Sequence, residues 1–195
     1  MVTALRKPLY QDKKVTFEEY QQLKYDGFQY EIIEGVMKVT PAPFDVHQAI
    51  IAYLIIELGI FLKLNPLGIL RPGPRDVKFT NDLTYQPDIL YLSKERLNIN
   101  KKNYVDGAPD FIIEVLSKGT LSHDTREKFN DYEKYGVKEY WIIEPHDVYS
   151  SEFYYLVDGK YEQFEAENNI VKSKVIEGFE VDLIELEKSL NPFAE

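Results

Sequence analysis

The fold of this 195-residue chain is decided by one stretch, Asp110-Phe111-Ile112-Ile113-Glu114-Val115-Leu116-Ser117. An almost continuous apolar run of this length is typical of a strand that is covered on both faces. Glu114 interrupts the run, and a carboxylate that loses its water needs a cation nearby. Either such a cation lies inside the protein, or the strand ends there and Glu114 meets water or an arginine.

The elements around this strand alternate between strands and helices. The predicted helices and strands are a helix at about 47–63, strands at 76–79 and 87–92, the strand at 110–116, a helix at about 123–135 and a strand at 138–144. A long helix that is apolar around much of its circumference packs on a sheet. The pattern predicts an α/β domain with a mixed central sheet flanked by helices.

Two hairpins are predicted outside this core. One joins residues 28–33 to 36–40 through Glu34-Gly35, and the other joins 152–157 to 160–164 through Asp158-Gly159. A short opening helix is expected over 16–24, a polar and basic helix or loop over 93–107, and a final amphipathic segment over 183–190. We expect one domain over 1–195, with a core at about 16–145 and an acidic C-terminal hairpin and tail at 146–195. The aromatic residues of the second hairpin either pack in the core or form a partner surface.

Composition excludes several kinds of site. The chain has no cysteine, so disulfides, thiolate zinc sites and cysteine nucleophiles are excluded, and its three histidines argue against an all-histidine metal site. The longest apolar stretch, residues 49–62, contains Glu57 and is expected to be too short to span a bilayer. A cytoplasmic protein without a membrane partner is predicted.

The net charge of −10 argues against a general nucleic-acid surface, yet the charge is unevenly distributed. Residues 144–195 carry 4 lysines and 13 acidic residues, so the earlier part of the chain is nearly balanced. Its loops contain basic residues that either follow a phosphate backbone or are solvated loop charges. They are Arg71, Arg75, Lys94, Lys101 and Lys102.

Lys128 is a second charge that is predicted to point inward. At about 100° per residue, Tyr132 and Tyr135 lie within about 40° of Lys128 on the helix. The lysine either extends its ammonium to the surface or pairs with a buried carboxylate, for which Glu114 is the candidate. Asp124 lies on the same side one turn earlier, where it either caps the helix or contributes to a site.

Pro87-Asp88 begins the strand that can neighbour the Glu114 strand. Alone, this pair only indicates a turn. Together, Asp88 and Glu114 offer two oxygen ligands suited to Mg²⁺ or Mn²⁺, and Lys128 offers an ammonium that orients water or stabilises charge on a phosphate.

These residues resemble the Uma-two family of restriction endonucleases. The resemblance covers about residues 16–145 and rests on several weak pieces that are specific in combination. The pieces are Tyr30-Glu31-Ile32-Ile33-Glu34-Gly35, His47-Gln48, Gln86-Pro87-Asp88-Ile89, Ala108-Pro109-Asp110 through Ser117, Asp124-Thr125-Arg126-Glu127-Lys128, Tyr132, Gly136-Val137 and Glu139-Tyr140-Trp141.

The resemblance implies a restriction-endonuclease-like core in which an Asp and a Glu-x-Lys bind a metal beside the scissile phosphate. This chain departs from that pattern because Leu116, not lysine, stands two residues after Glu114, so Lys128 is the implied migrated lysine. The family's upstream acidic position corresponds to Glu31 or Glu34. His47 either faces the same cleft or serves in capping or packing, and Ser117 either hydrogen-bonds within the site or ends the strand.

Two functions are therefore expected from the sequence. The first is a metal-dependent endonuclease that hydrolyses DNA, with Asp88, Glu114 and Lys128 as its catalytic residues. The alternative is a non-catalytic nucleic-acid-associated or protein-binding domain that retains the fold. A homodimer would allow two sites to cut two strands.

Overall fold

The computed structural model describes residues 7–40, 45–117 and 123–190, with side chains in the last range from residue 126 onward. Helices are α1 (Phe17–Tyr20), α2 (Asp45–Leu64), α3 (His123–Tyr135) and α4 (Leu183–Leu190), with short 3₁₀ helices at Lys94–Ile99 and Val148–Ser150. The strands are β1 (Tyr30–Ile33), β2 (Val36–Val39), β3 (Gly68–Pro72), β4 (Asp76–Lys78), β5 (Thr84–Tyr85), β6 (Ile89–Ser93), β7 (Tyr104–Asp106), β8 (Phe111–Val115), β9 (Glu139–Ile143), β10 (Glu152–Val157), β11 (Lys160–Phe164), β12 (Ile170–Lys172) and β13 (Glu180–Asp182).

Within the described residues, the strands form two mixed sheets and one small antiparallel pair. The larger sheet has the order β11-β10-β9-β8-β6-β3, and the smaller has the order β2-β1-β5-β4-β7, while β12 pairs with β13. In the larger sheet β8 and β9 are parallel, and α3 connects them. The predicted α/β class with a mixed sheet flanked by helices is confirmed.

Most predicted elements occur, with shifted ends. The opening helix is one turn, which begins after a reciprocal capping box of Thr16 and Glu19 and ends at Tyr20. The second helix begins at Asp45, not at His47. Both predicted hairpins form, and Gly136 ends α3 with a φ of +85°. The Pro/Gly-rich stretch that precedes β4 contains an unpredicted strand, β3, and the 93–107 segment contains β7.

The central strand is buried on both faces, as its apolar run predicts. Phe111, Ile113 and Val115 belong to a core cluster with α2 and α4, whereas Ile112 belongs to a second cluster with Tyr132 of α3. Glu114 therefore lies on the face that α3 covers.

Helix α2 corrects the expectation that the apolar stretch is too short to cross a bilayer. Its 20 residues are long and apolar enough by length and composition. One side of the helix, with Ile50, Leu54 and Leu58, is buried in the core. Ile56 and Ile60 lie exposed on the other side.

The C-terminal region packs into the same core as the preceding part of the chain. Phe153, Phe179 and Leu186 belong to the cluster that contains Ile50 and Trp141. The buried carboxylate of Glu139 accepts hydrogen bonds from Trp141 Nε1, Ser173 Oγ, Lys174 N and Val175 N. Core packing therefore accounts for Phe153 of the second hairpin.

Candidate active site

Strand register brings Asp88 and Glu114 together. In the antiparallel pair of β6 and β8, Ile89 lies opposite Ile113, so the register places Asp88 opposite Glu114 at the next position. Directly opposed residues in such a pair have Cβ atoms about 4.5–5.5 Å apart and project to the same face. Asp88 Oδ2 also accepts a hydrogen bond of 2.8 Å from the backbone N–H of Val115. The two carboxylates thus share one end of the sheet.

A glycine allows the neighbouring loop to approach this sheet end closely. The Gly73 N–H donates a 2.7 Å hydrogen bond to the carbonyl oxygen of Asp88. A Cβ atom at Gly73 would lie 2.7 Å from the carbonyl oxygen of Pro87, which is closer than carbon and oxygen tolerate. The absence of a side chain at Gly73 therefore helps to fix the backbone that carries Asp88.

Lys128 points from α3 into the same site, as helical periodicity predicts. Its Nζ lies 3.1 Å from Glu114 Oε1 and 2.9 Å from Glu31 Oε1. The hydroxyl of Tyr132, one turn later on α3, donates to Glu114 Oε1 at 2.8 Å. The buried ammonium of α3 thus forms an ion pair with the buried carboxylate of β8.

The hairpin of β1 and β2 supplies Glu31. On one face of the hairpin Tyr30, Ile32 and Met37 are buried in a small core. Glu31 projects to the opposite face, where its Oε1 also accepts a hydrogen bond of 3.0 Å from the Gln86 N–H. Strand pairing therefore brings Glu31 to Lys128.

Glu34 has a different position in the same hairpin. It lies in the turn with a φ of +50°, followed by Gly35 at +73°. Glu34 lines the cleft, whereas the ion pair to Lys128 comes from Glu31.

His47 joins the site through Asp88. It is buried in the first turn of α2, and its Nε2 lies 3.2 Å from Asp88 Oδ2. Ser117 lines the same cleft, just beyond β8. The side chain of Asp124 lies outside the described residues.

The electrostatics of the site follow from burial and from the excess of carboxylates. Burial raises the pKa of Glu114 to about 7; Lys128 opposes this shift, and the charges of Asp88 and Glu31 add to it. Burial lowers the pKa of Lys128, but Glu114 and Glu31 outweigh it and raise that pKa, so Lys128 stays charged. Burial likewise lowers the pKa of His47, and the hydrogen bond and charge of Asp88 raise it above its ordinary value.

The raised pKa of Glu114 makes the stability of the metal-free protein depend on pH. The folded chain holds this proton more tightly than the unfolded chain, so the contribution is complete below the ordinary pKa of 4.5 and is lost as pH rises through about 7. Between about pH 5 and about pH 8 in EDTA, we expect the native chain to lose up to about 3 kcal/mol of unfolding free energy relative to Glu114→Gln. Urea unfolding at both pH values measures the difference.

The exposed Glu162→Gln variant is the matched control for this comparison, because it makes the same chemical change outside the site. It should follow the native chain at both pH values. Parallel pH dependence of the native chain and Glu114→Gln would contradict the electrostatic account.

All three predicted catalytic residues line one cleft of about 780 Å³. Among the described residues, no group of three or more histidine or acidic side chains is arranged as a ready metal site. Two carboxylates nevertheless fit Mg²⁺, which protein sites often hold through one or two carboxylates, with waters and substrate phosphates completing its shell. The opposed positions of Asp88 and Glu114 and the excess negative charge around them suit a divalent cation.

Sequence reasoning missed three contributors to the site. Tyr132 was expected on the inward face of α3, but its bond to Glu114 was not predicted. Gln86 stands directly before Pro87-Asp88, yet its backbone bond to Glu31 depends on strand packing that no local pattern reveals. The ring of Tyr85 lies 5.4 Å from Lys128 Nζ, which is within cation–π distance.

A comparison with family models identifies one that covers most of the chain. The model of the family Uma2, described as "Putative restriction endonuclease", matches residues 17–186. Restriction-endonuclease-like families generally use divalent metal ions. No curated protein matches the chain.

A solved structure shares the fold. It is the crystal structure of a protein from Anabaena variabilis described as "a putative nuclease belonging to DUF820". The TM-score is 0.74 at 20% sequence identity, and the match covers 90% of this chain and 99% of that one. The likeness shows that the two proteins share a fold.

Proposed function

The chain belongs to the Uma2 family, and from this premise we propose that it is a metal-dependent endonuclease that hydrolyses phosphodiester bonds of DNA. The observation that carries the proposal is the shared position of Asp88, Glu114 and Lys128 in one cleft. Two opposed carboxylates can hold a divalent cation beside a phosphate, and a buried ammonium can stabilise the negative charge that develops during phosphodiester hydrolysis.

Each residue of the site has a distinct role in this proposal. Asp88 and Glu114 would hold the cation, and Asp88 is oriented by the Val115 N–H and by His47. Glu31 and Glu114 hold the Lys128 ammonium at 2.9 and 3.1 Å. Lys128 orients the attacking water or stabilises the negative charge that develops on the phosphate. Tyr132 positions Glu114 through its hydroxyl.

A bound Mg²⁺ or Mn²⁺ would polarise the phosphate and lower the pKa of a bound water. The protein itself excludes bulk water from the site, since the side chains of Glu114 and Glu31 are only 12% exposed. A reduced dielectric strengthens the interaction of Lys128 with a phosphate.

DNA cleavage by the purified chain in Mn²⁺, compared with EDTA, tests this function. The assay uses native plasmid and heat-denatured plasmid, so that cleavage of double-stranded or of single-stranded DNA is detected. We expect Glu31→Gln to lower the rate by about tenfold or more, because Lys128 loses one of its two anchors. Glu34→Gln, the same change in the hairpin turn, should cleave at the native rate.

Cleavage of neither DNA form in Mn²⁺ would contradict the proposed function and favour the non-catalytic alternative. Equal loss of rate in Glu31→Gln and Glu34→Gln would contradict the role of Glu31. The cytoplasmic location stays a prediction. The homodimer also stays a prediction, and light scattering of the purified chain measures the molar mass that tests it.

A further inference from the structure

A chain of hydrogen bonds leads from β4 to the ammonium of the site. Asp76 begins β4, and its Oδ1 accepts a hydrogen bond of 2.7 Å from Gln86 Nε2. The backbone N–H of Gln86 donates to Glu31 Oε1 at 3.0 Å, and the same oxygen lies 2.9 Å from Lys128 Nζ. Gln86 and Glu31 line the cleft, whereas Asp76 is not part of its described lining. Asp76 can therefore influence Lys128 only through the residues between them.

Gln86 is the main hydrogen-bond donor to the half-buried side chain of Asp76. Tyr20 Oη lies 3.5 Å from Asp76 Oδ1 and Gln21 Nε2 lies 3.4 Å from Oδ2, distances at the long end for hydrogen bonds. Burial raises the pKa of the Asp76 carboxyl, and the hydrogen bond from Gln86 is the largest influence that opposes this shift. A carboxylate that loses water needs such a donor, so Asp76 and Gln86 hold each other.

The amide of Gln86 has one favourable orientation. Its Nε2 donates to Asp76, and its Oε1 is buried without a hydrogen-bond partner among the described residues. Reversing the amide would place Oε1 against the Asp76 carboxylate, and both groups are acceptors. A buried acceptor without a partner is unfavourable, so the bond to Asp76 determines how the Gln86 side chain is held.

Gln86 stands where a small displacement changes the site. Its N–H and Lys128 Nζ share the same oxygen of Glu31, a carboxylate that is only 12% exposed. A shift of the backbone at Gln86 therefore moves the carboxylate that holds Lys128. Misplacement of a catalytic group by about 1 Å can cost about 10²-fold in rate.

We propose that Asp76 and Gln86 are positioning residues of the active site. Asp76 fixes the Gln86 amide, and Gln86 fixes the Glu31 carboxylate that holds Lys128. This inference rests on the proposed nuclease function and adds two residues that act through Glu31 and not on the phosphate.

Steady-state plasmid cleavage in Mn²⁺ tests the role of Gln86. Methionine keeps much of the length of glutamine but not its amide, so we expect Gln86→Met to lower kcat by about tenfold and to change KM by less than about twofold. Gln21→Met is the matched control, because it removes a second amide from the same carboxylate without reaching Glu31. It should keep the native kcat.

Variants of Asp76 test the same hydrogen bond from its other end. Asp76→Ala removes the acceptor and should lower kcat about as much as Gln86→Met. Asp76→Asn keeps an oxygen that can accept from Gln86 Nε2, so it should retain most of the native kcat. Circular dichroism checks the fold of each variant.

A double variant distinguishes positioning from a general loss of stability. Because Gln86 acts through Glu31, Gln86→Met/Glu31→Gln should cleave within about twofold of the rate of Glu31→Gln alone. Independent effects would instead multiply to about 100-fold. The ammonium signal of Lys128 in heteronuclear NMR spectra gives a readout without DNA. We expect this signal to shift in Gln86→Met and to stay in place in Gln21→Met.

Native kcat in Gln86→Met and Asp76→Ala, equal losses in Gln86→Met and Gln21→Met, or multiplied losses in the double variant would overturn the inference while cleavage by the native chain supports the proposed function. A native chain that cleaves no DNA would overturn the proposed function. The NMR signal then decides the inference separately, because a Lys128 signal that Gln86→Met leaves in place would show that Gln86 does not position the ammonium.

Discussion

Replacing Lys128 by methionine is expected to lower the rate of DNA cleavage by about 10²–10³-fold, the loss typical of removing one group that stabilises transition-state charge. Methionine retains much of the length of the side chain but not the ammonium that lies 2.9 Å from Glu31 and 3.1 Å from Glu114. The recessed carboxylates of Glu31 and Glu114 are then left without the ammonium that pairs with both. Breaking such a buried pair costs about 3–5 kcal/mol, so we expect a lower unfolding midpoint as well.

Cleavage is therefore measured below the unfolding midpoint of the variant and with its fold checked by circular dichroism. Lys160→Met is the matched control, because Lys160 is 79% exposed and pairs with Glu133 at the surface. Lys128→Arg keeps the charge and should retain more stability than Lys128→Met. A folded Lys128→Met variant that cleaves at the native rate would rule out a catalytic role for Lys128.

Asp88→Asn is expected to remove the stabilisation that Mn²⁺ gives the folded chain. Asparagine keeps the size of the side chain, and its oxygen can still accept from the Val115 N–H, but the negative charge is lost. At Mn²⁺ concentrations about 100 times the native dissociation constant, the native chain gains about 2.7 kcal/mol of unfolding free energy. The variant should gain almost none. Thermal unfolding with Mn²⁺ and with EDTA measures both values.

Asp158→Asn makes the same chemical change in the exposed turn between β10 and β11 and serves as the control. It should respond to Mn²⁺ as the native chain does. If Asp88→Asn were stabilised by Mn²⁺ as strongly as Asp158→Asn, Asp88 would not be a ligand.

Local sequence patterns predicted the central part of the site. The apolar run around Glu114 predicts a buried strand, and helical periodicity predicts that Lys128 points inward. Because a buried carboxylate and a buried ammonium each require an opposite charge, the two patterns together predict that Glu114 and Lys128 pair. The structure places Lys128 Nζ 3.1 Å from Glu114 Oε1. Local patterns suffice for this prediction because each one concerns a single strand or helix and shows which of its sides faces the core.

Contacts between distant elements were not predictable in this way. Alternation along β1 could not decide between Glu31 and Glu34, because the choice depends on which face of the hairpin meets α3. The pairing of His47 with Asp88 joins α2 to the residue that precedes β6, 41 positions later in the sequence. Strand β3 escaped prediction because its neighbours are rich in proline and glycine, and Gly68 pairs there at a distance that admits no side chain.

Calorimetric titration of Mn²⁺ into the native chain and into Asp88→Asn measures the proposed metal site itself. We expect saturable binding to the native chain that Mg²⁺ competes for, and an affinity lower by at least about 100-fold in Asp88→Asn, since loss of even an outer contact to a metal ligand costs about 10–100-fold. Absence of binding to the native chain, or equal affinity in the two proteins, would contradict a metal site between Asp88 and Glu114.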